Sequence, residues 1–459
     1  MLFNSLQFLL FFGWVFCLYY LVPHKVRWVL LLLCSIYFYM CWNINYVFII
    51  LGIALIDYGC GIVVSKISGQ RNKKIFLITS LCSNLLILFF FKYYHFFQWH
   101  LNEAMSSSFL PVLDFILPMG ISFHTFQSMG YTIDVYRGKI PAEKNPLRFI
   151  LYVMFFPQMV AGPIERGDNL IPELKKKVFW NTSEIANGAH LALWGVFKKV
   201  VLADRLTMMV DPVYHAPQNF SSAQLLFATY AFALQIYFDF SGYTDIAIGI
   251  ARMLGIKLNL NFNSPYKADS LQNFWQRWHI SLSSWFRDYV YFPLGGNKKS
   301  ANRNNLNLLI TFLLSGFWHG ANFTFIIWGA WHGIGLITEK YLKKIFSFTL
   351  PRMTKRIFVF HFVLVGWIWF RAQSMHDAVS VFKRIFSFDF SSGTISEMYW
   401  TEIVFAFAIS SLVLLLEFKN IKPEIISSRK GKWIYSSAML AGIYLFGVFH
   451  LKQFLYFQF

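Results

Sequence analysis

MLFNSLQFLLFFGWVFCLYYLV, residues 1–22, carries no charged side chain after its amino terminus and is apolar almost throughout. It lacks the basic n-region and the small-residue cleavage site of a secretory leader, and its apolar run is longer than a leader core of about 7–15 residues. It reads as a first transmembrane helix that stays in place. The rest of the chain has the same character: of 459 residues, 56% are hydrophobic, 20% aromatic and only 14% charged. A soluble domain carries about 25% charged residues, so water is not the main solvent of this protein. The 53 Phe and 16 Trp run from end to end and suit lipid-facing and interfacial surface.

Counting about 20 apolar residues as one crossing, spans are expected near 4–22, 28–42, 46–65, 75–97, 109–133, 147–163, 186–209, 222–255, 304–318, 322–339, 356–372, 401–418 and 433–455. The expected fold is therefore all-α and polytopic, with about 11–13 membrane segments, re-entrant ones among them. The absence of a long linker, a repeat or a low-complexity tract makes 1–459 a single integral-membrane domain.

The formal charge of +19 does not indicate nucleic acid. Lys and Arg sit in short clusters between apolar spans, at Lys66–Lys74, Lys175–Lys177, Lys298–Arg303 and Arg429–Lys432. They act as topology determinants, and anionic headgroups account for their sign. The basic loops 24–27 and 66–74, against the uncharged turn 42–45, put the N-terminus outside. All five cysteines lie between Cys17 and Cys82 in or beside apolar stretches, without a metal or disulfide pattern.

Polar groups at membrane depth are costly and so mark functional candidates. Four places qualify: PQMVAGPIERGD at 157–168, YFDFSGYTDIAIG at 237–249, NFNSPYKADSLQNFWQRWHISLSSWFRDYVYFPLGG at 261–296, and the pair GFWHG at 316–320 and GAWHG at 329–333. Taken as one helix, 272–290 places Trp275, Trp278, Leu282, Trp285, Phe286 and Tyr289 on one arc. Gln276, Arg277, Ser281, Ser284, Arg287 and Asp288 then lie on the other. His279 falls within the apolar arc and points inward, either as a structural histidine or as a site residue.

In each WHG motif the histidine is bracketed by glycines four residues apart, a spacing that lets another helix approach closely. On one straight helix the thirteen residues from His319 to His332 would mean roughly 20 Å of rise, so the two meet only if the helix breaks. No hydrolase elbow, phosphate-binding loop or zinc-type histidine spacing is present, and no metal is expected. Asp239, Asp245 and Asp288 can serve either as a proton path or as helix caps and ion-pair partners of Arg277 and Arg287.

AGPIER at 161–166, DFSGYTDIAIGIARMLG at 239–255, NFNSPYKADS at 261–270, FWQRWHISLSSWFRDYVYFPLGG at 274–296, SGFWHG at 315–320, WGAWHG at 328–333 and WIWFRA at 367–372 resemble, in order and spacing, the membrane-bound O-acyltransferase family. The likeness is strongest between about 157 and 333, and within the family it points to the branch that O-acetylates alginate and peptidoglycan.

The resemblance implies a central tunnel and His319 as the active-site base. It also implies His279 as the second polar residue of the tunnel, holding a carbonyl or hydroxyl or stabilising the oxyanion, and His332 as a third-ranked histidine. Trp275, Trp278 and Trp318 become tunnel walls, and Arg277, Arg287, Lys298 and Lys299 stand to attract an anionic donor, with positive-inside topology as their alternative role. No bound cofactor is implied, but an acyl thioester, acetyl-CoA above all, is the co-substrate. The acceptor is an extracytoplasmic cell-envelope polysaccharide, reached with a separate extracytoplasmic transferase in the bacterial cytoplasmic membrane. The rival readings are a lipid or protein acyltransferase of the same family and a non-catalytic acyl-group transporter.

Overall fold

The computed structural model describes residues 1–113, 115–160, 162–345, 350–389, 400–419 and 429–449. Every regular element among them is helical. The expected spans appear as helices Leu6–Leu21, His24–Met40, Ile44–Lys66, Ser222–Met253, Ala301–His319, Phe323–Ile345, Arg352–Arg371, Trp400–Phe418 and Arg429–Phe446. The end of the last expected span, 450–455, lies outside the described residues. Judged by length and composition, Ile44–Lys66, Gln70–Ala104 and Arg352–Arg371 are long and apolar enough to cross a membrane, and Leu6–Leu21 and Val404–Phe418 are shorter apolar helices.

Two expected spans are shorter than their apolar runs. Of 109–133, only the part from Ile121 is helical, because Pro111 and Pro118 interrupt the approach and Gly120 sits at φ 71°. The run 147–163 becomes Pro146–Met154 and a single turn Phe156–Met159, parted where Phe155 turns out of the helix (ψ 108°) ahead of Pro157. Apolar content alone does not register such breaks. The polar helices Gly167–Lys175 and Met375–Phe386 were not expected as spans and connect longer elements.

Contacts group the described residues into two compact units, Met1–Ala192 with Thr244–Leu260, and Leu193–Tyr243 with Asn261–Phe459. In the first, helix Leu6–Leu21 buries Phe8, Phe12, Val15 and Tyr19 while leaving Leu6, Leu9, Leu10, Trp14 and Leu21 exposed. So broad an apolar exposure is rare on soluble monomers and suits a face turned to lipid. Two buried carboxylates of this unit are tied down internally. Asp57 accepts from Ser80 Oγ at 2.5 Å and from Asn84 Nδ2 at 2.8 Å. Glu165, within the AGPIER block, accepts from the Asn259 backbone N–H at 2.6 Å and from Asn169 Nδ2 at 2.6 Å.

In the second unit, helices Ala301–His319 and Phe323–Ile345 run antiparallel after a three-residue turn. A Cβ at Gly316 would collide with the Phe325 carbonyl, one at Gly329 with the Phe312 carbonyl, and one at Gly333 would press on the Leu309 side chain at 3.2 Å. The small-residue spacing thus does what it promised, bringing two backbones together. A wide π-type turn at 198–203 carries Lys199 to Asp239 at 2.6 Å and Asp204 at 2.7 Å, all three buried. Asp239 is therefore engaged in a buried ion-pair cluster.

Candidate active site

The second unit is organised around the joining of two sequence blocks. The Ile280 N–H donates to the Asn261 carbonyl at 2.9 Å, the Asn263 N–H to the Arg277 carbonyl at 3.0 Å, and Arg277 Nη1 returns to the Asn263 carbonyl at 3.0 Å. NFN and RWHI therefore form one clamp. The segment 272–290 is not the single helix that its periodicity predicts. It divides into Leu271–Trp275, Ile280–Phe286 and a π-type turn at 287–291, with His279 at φ 42° capping the second piece. A left-handed backbone is unfavourable for a residue with a Cβ by about 1–2 kcal/mol, so the clamp holds His279 in it. The break also alters the polar arc, and Ser281, placed on that arc by the periodicity, is buried.

His279 is buried, as expected, and its partner identifies its tautomer. Asn261 Oδ1 lies 3.1 Å from His279 Nδ1, 3.2 Å from the Ser281 backbone nitrogen and 2.9 Å from Ser281 Oγ. A backbone N–H can only donate, so the Asn261 atom is the oxygen and His279 Nδ1 donates to it. A neutral His279 then carries its lone pair on Nε2.

His319 is the last residue of its helix, where Gly320 turns to extended backbone (φ −166°, ψ 153°). That break is what brings His319 and His332 to a common neighbour. The Trp328 ring stands 5.0 Å from His319 and 5.0 Å from His332, centroid to centroid, edge-on to the first at 88°. Trp318 links His279 at 6.3 Å to His319 at 5.0 Å, and Trp275 closes on His332 at 4.9 Å. Phe370 packs on His319 at 5.2 Å and Phe240 on His279 at 4.7 Å. All three histidines are thus buried along one aromatic cluster.

Within that cluster both ring nitrogens of His332 and the indole Nε1 atoms of Trp275 and Trp328 are buried with no partner among the described residues. Each such atom costs about 1–3 kcal/mol when it stays unsatisfied. Gly366 faces His332 Nε2, where an added Cβ would stand 2.8 Å away. Two indole donors and an imidazole able to donate and accept suit a carbonyl or hydroxyl group.

The cations expected at a donor mouth are arranged differently from one another. Arg277 spends its Nε on Asn273 Oδ1 at 2.9 Å besides closing the clamp. Arg287 is exposed and pairs with Asp288 at 2.8 Å. Lys298 and Lys299 are exposed in the turn before Ala301–His319. Trp278 packs on Trp367 at 4.9 Å. Sequence reading passed over Asn261, Trp328 and Phe370. All three had the same signal, their places in the NFNSPYKADS, WGAWHG and WIWFRA blocks, but nothing in the sequence set them apart from their neighbours there.

A family model described as the membrane-bound O-acyltransferase family matches residues 76–376. The chain is 37% identical to the probable alginate O-acetylase of Pseudomonas aeruginosa over 92% of its own length and 82% of that protein. It is 33% identical to the peptidoglycan O-acetyltransferase of Helicobacter pylori, covering 94% of this chain and 91% of that one. The teichoic acid D-alanyltransferase of Bacillus subtilis is 32% identical over 56% of this chain and 69% of its own.

Proposed function

The chain belongs to the membrane-bound O-acyltransferase family and is an integral-membrane O-acyltransferase, and from that premise we propose that it moves acetyl from a cytoplasmic thioester, acetyl-CoA, toward hydroxyls of an extracytoplasmic cell-envelope polysaccharide. The observation that carries the reading is the gathering of His279, His319 and His332 in one buried aromatic cluster although 53 residues separate the first from the last. The relatives' named activities, O-acetylation of alginate and of peptidoglycan, support the acceptor class.

In the proposed step His319 takes the proton of the acceptor hydroxyl as its oxygen attacks the thioester carbonyl. The C–S bond breaks, the thiolate leaves with the electron pair, and the proton on His319 returns to it. His279 holds the reacting group from the other side of Trp318. With Nδ1 donating to Asn261, its neutral form accepts at Nε2, which fits a second hydroxyl of the acceptor, since the attacking hydroxyl gives its proton to His319; stabilising the oxyanion needs the protonated ring. His332 and the Trp275 and Trp328 indoles present donors at which a carbonyl oxygen can sit, in a site from which water is excluded. Arg277 and Arg287 take the anionic part of the donor, with Trp275 and Trp278 along a tunnel wall.

The proposal places 1–459 as one acyltransferase domain in the bacterial cytoplasmic membrane, N-terminus outside, delivering acetyl to a separate extracytoplasmic transferase. His319→Ala tests it. Envelope-linked acetyl should fall to the level of a deletion strain while the variant stays in the membrane at normal amount. Acetyl at the wild-type level would make His319 a packing residue and favour a transporter or a base at His332, and a requirement for long-chain donors would favour lipid or protein acylation.

A further inference from the structure

The first unit carries a cleft of about 360 Å³ walled by the turn between helices Leu6–Leu21 and His24–Met40 and by the end of helix Gly167–Lys175. Five cations line it, Lys25, Arg27, Arg148, Lys175 and Lys176, together with the carboxylate of Glu173. Lys175 pairs with Glu143, and Lys176 with Glu173 at 3.6 Å. The other three have no carboxylate partner among the described residues. Arg27 donates to the carbonyls of Val22 at 3.2 Å and Val178 at 2.9 Å, and Arg148 lies over the Trp28 ring at 5.2 Å.

Elsewhere in this unit Lys139 pairs with Asp134 and Asp168, and Arg252 with Glu184. Half-buried charge without a counter-charge is costly, so Arg27 and Arg148, with the exposed Lys25 at the same cleft, call for an anion from outside the chain. The position indicates which anion. A two-residue turn between two apolar helices stands at the membrane surface. Beside it Phe179 and Trp180 are exposed, and Trp180 packs on Tyr20 at 4.8 Å, as aromatic rings do at headgroup level.

We propose that this cleft binds a phosphate ester, the headgroup of an anionic phospholipid, with Lys25, Arg27 and Arg148 as its counter-charges. The proposal is independent of the acyl-transfer reading. A phosphate ester can also come from a soluble nucleotide such as coenzyme A, and the test separates the two sources.

Full-length protein is examined by native mass spectrometry with phosphatidylglycerol or phosphatidylcholine, as wild type and as the Lys25→Gln/Arg148→Gln variant. Wild type should retain phosphatidylglycerol preferentially, and retention should fall about fivefold for each cation removed, with melting temperature unchanged. If coenzyme A displaces phosphatidylglycerol and its binding falls with the same variant, the phosphate site stands and its ligand is the soluble ester. Equal retention of both lipids by wild type, or undiminished phosphatidylglycerol on the double variant, overturns the site. Should the double variant melt early, Lys25→Gln alone, at an exposed position, must still show the fivefold fall.

Discussion

Asn261 shows how one polar residue organises the chemistry around it. Its oxygen takes three donors, from His279 and from the backbone and hydroxyl of Ser281, and thereby sets which nitrogen of His279 keeps a lone pair. Asn261→Leu removes that acceptor while keeping the side chain's bulk. We expect kcat for acetyl transfer in membrane vesicles to fall about 10- to 100-fold, the range seen when an outer partner that orients a histidine is lost, with KM for the donor little changed. A wild-type kcat would show the bond to be structural only. The same residue illustrates what a linear reading misses. His279, His319 and His332 were visible as rare polar residues in apolar surroundings, but Asn261 lies eighteen positions before its partner and has no signal of its own beyond its block.

Helix pairing is where glycine matters most. Gly316 and Gly329 are replaced by nothing larger without pushing on the Phe325 or Phe312 carbonyl, and backbone yields less readily than the end of a side chain. Gly316→Ala should therefore destabilise the protein by about 1–3 kcal/mol, as over-packing does, seen as a lower melting temperature in detergent. A melting temperature equal to wild type would mean that the two helices are free to separate. Because His319 ends one of these helices and Trp328 lies on the other, the same change should also lower activity.

The Lys199 cluster makes the complementary point for charge. Lys199 stands between Asp204 and Asp239 in a buried setting, so Lys199→Met leaves two carboxylates facing each other and should cost about 3–5 kcal/mol. Restoring stability by adding Asp239→Asn would identify the carboxylate repulsion as the cause.

For the molecule as a whole, the prediction concerns orientation in the membrane. In a variant lacking the five native cysteines, a cysteine introduced at Lys73 should be shielded from an impermeant maleimide in intact cells, and one at Ser107 should react. The reverse pattern would invert the topology and, with it, the side from which the thioester donor is proposed to enter. Both positions lie outside the buried interior of their unit, so labelling reports sidedness and not burial.

Composition and apolar runs were enough to determine an all-helical integral-membrane protein, because transfer of backbone out of water leaves helices as the economical way to satisfy its hydrogen bonds. The order of polar blocks was enough to reveal the acyltransferase family, since buried polar residues are too costly to recur by chance at such spacing. Three things needed the folded chain. The break at Gln276–His279 runs against a continuous amphipathic pattern and exists because the NFN strand of backbone bonds onto RWHI. The turn at Gly320 decides that His319 and His332 share Trp328 instead of lying far apart on one rod. The cation-lined cleft joins positions 25, 27 and 148, whose proximity comes from helices packing side by side. In each case the deciding contact is between residues distant along the chain, and a one-dimensional pattern carries no term for it.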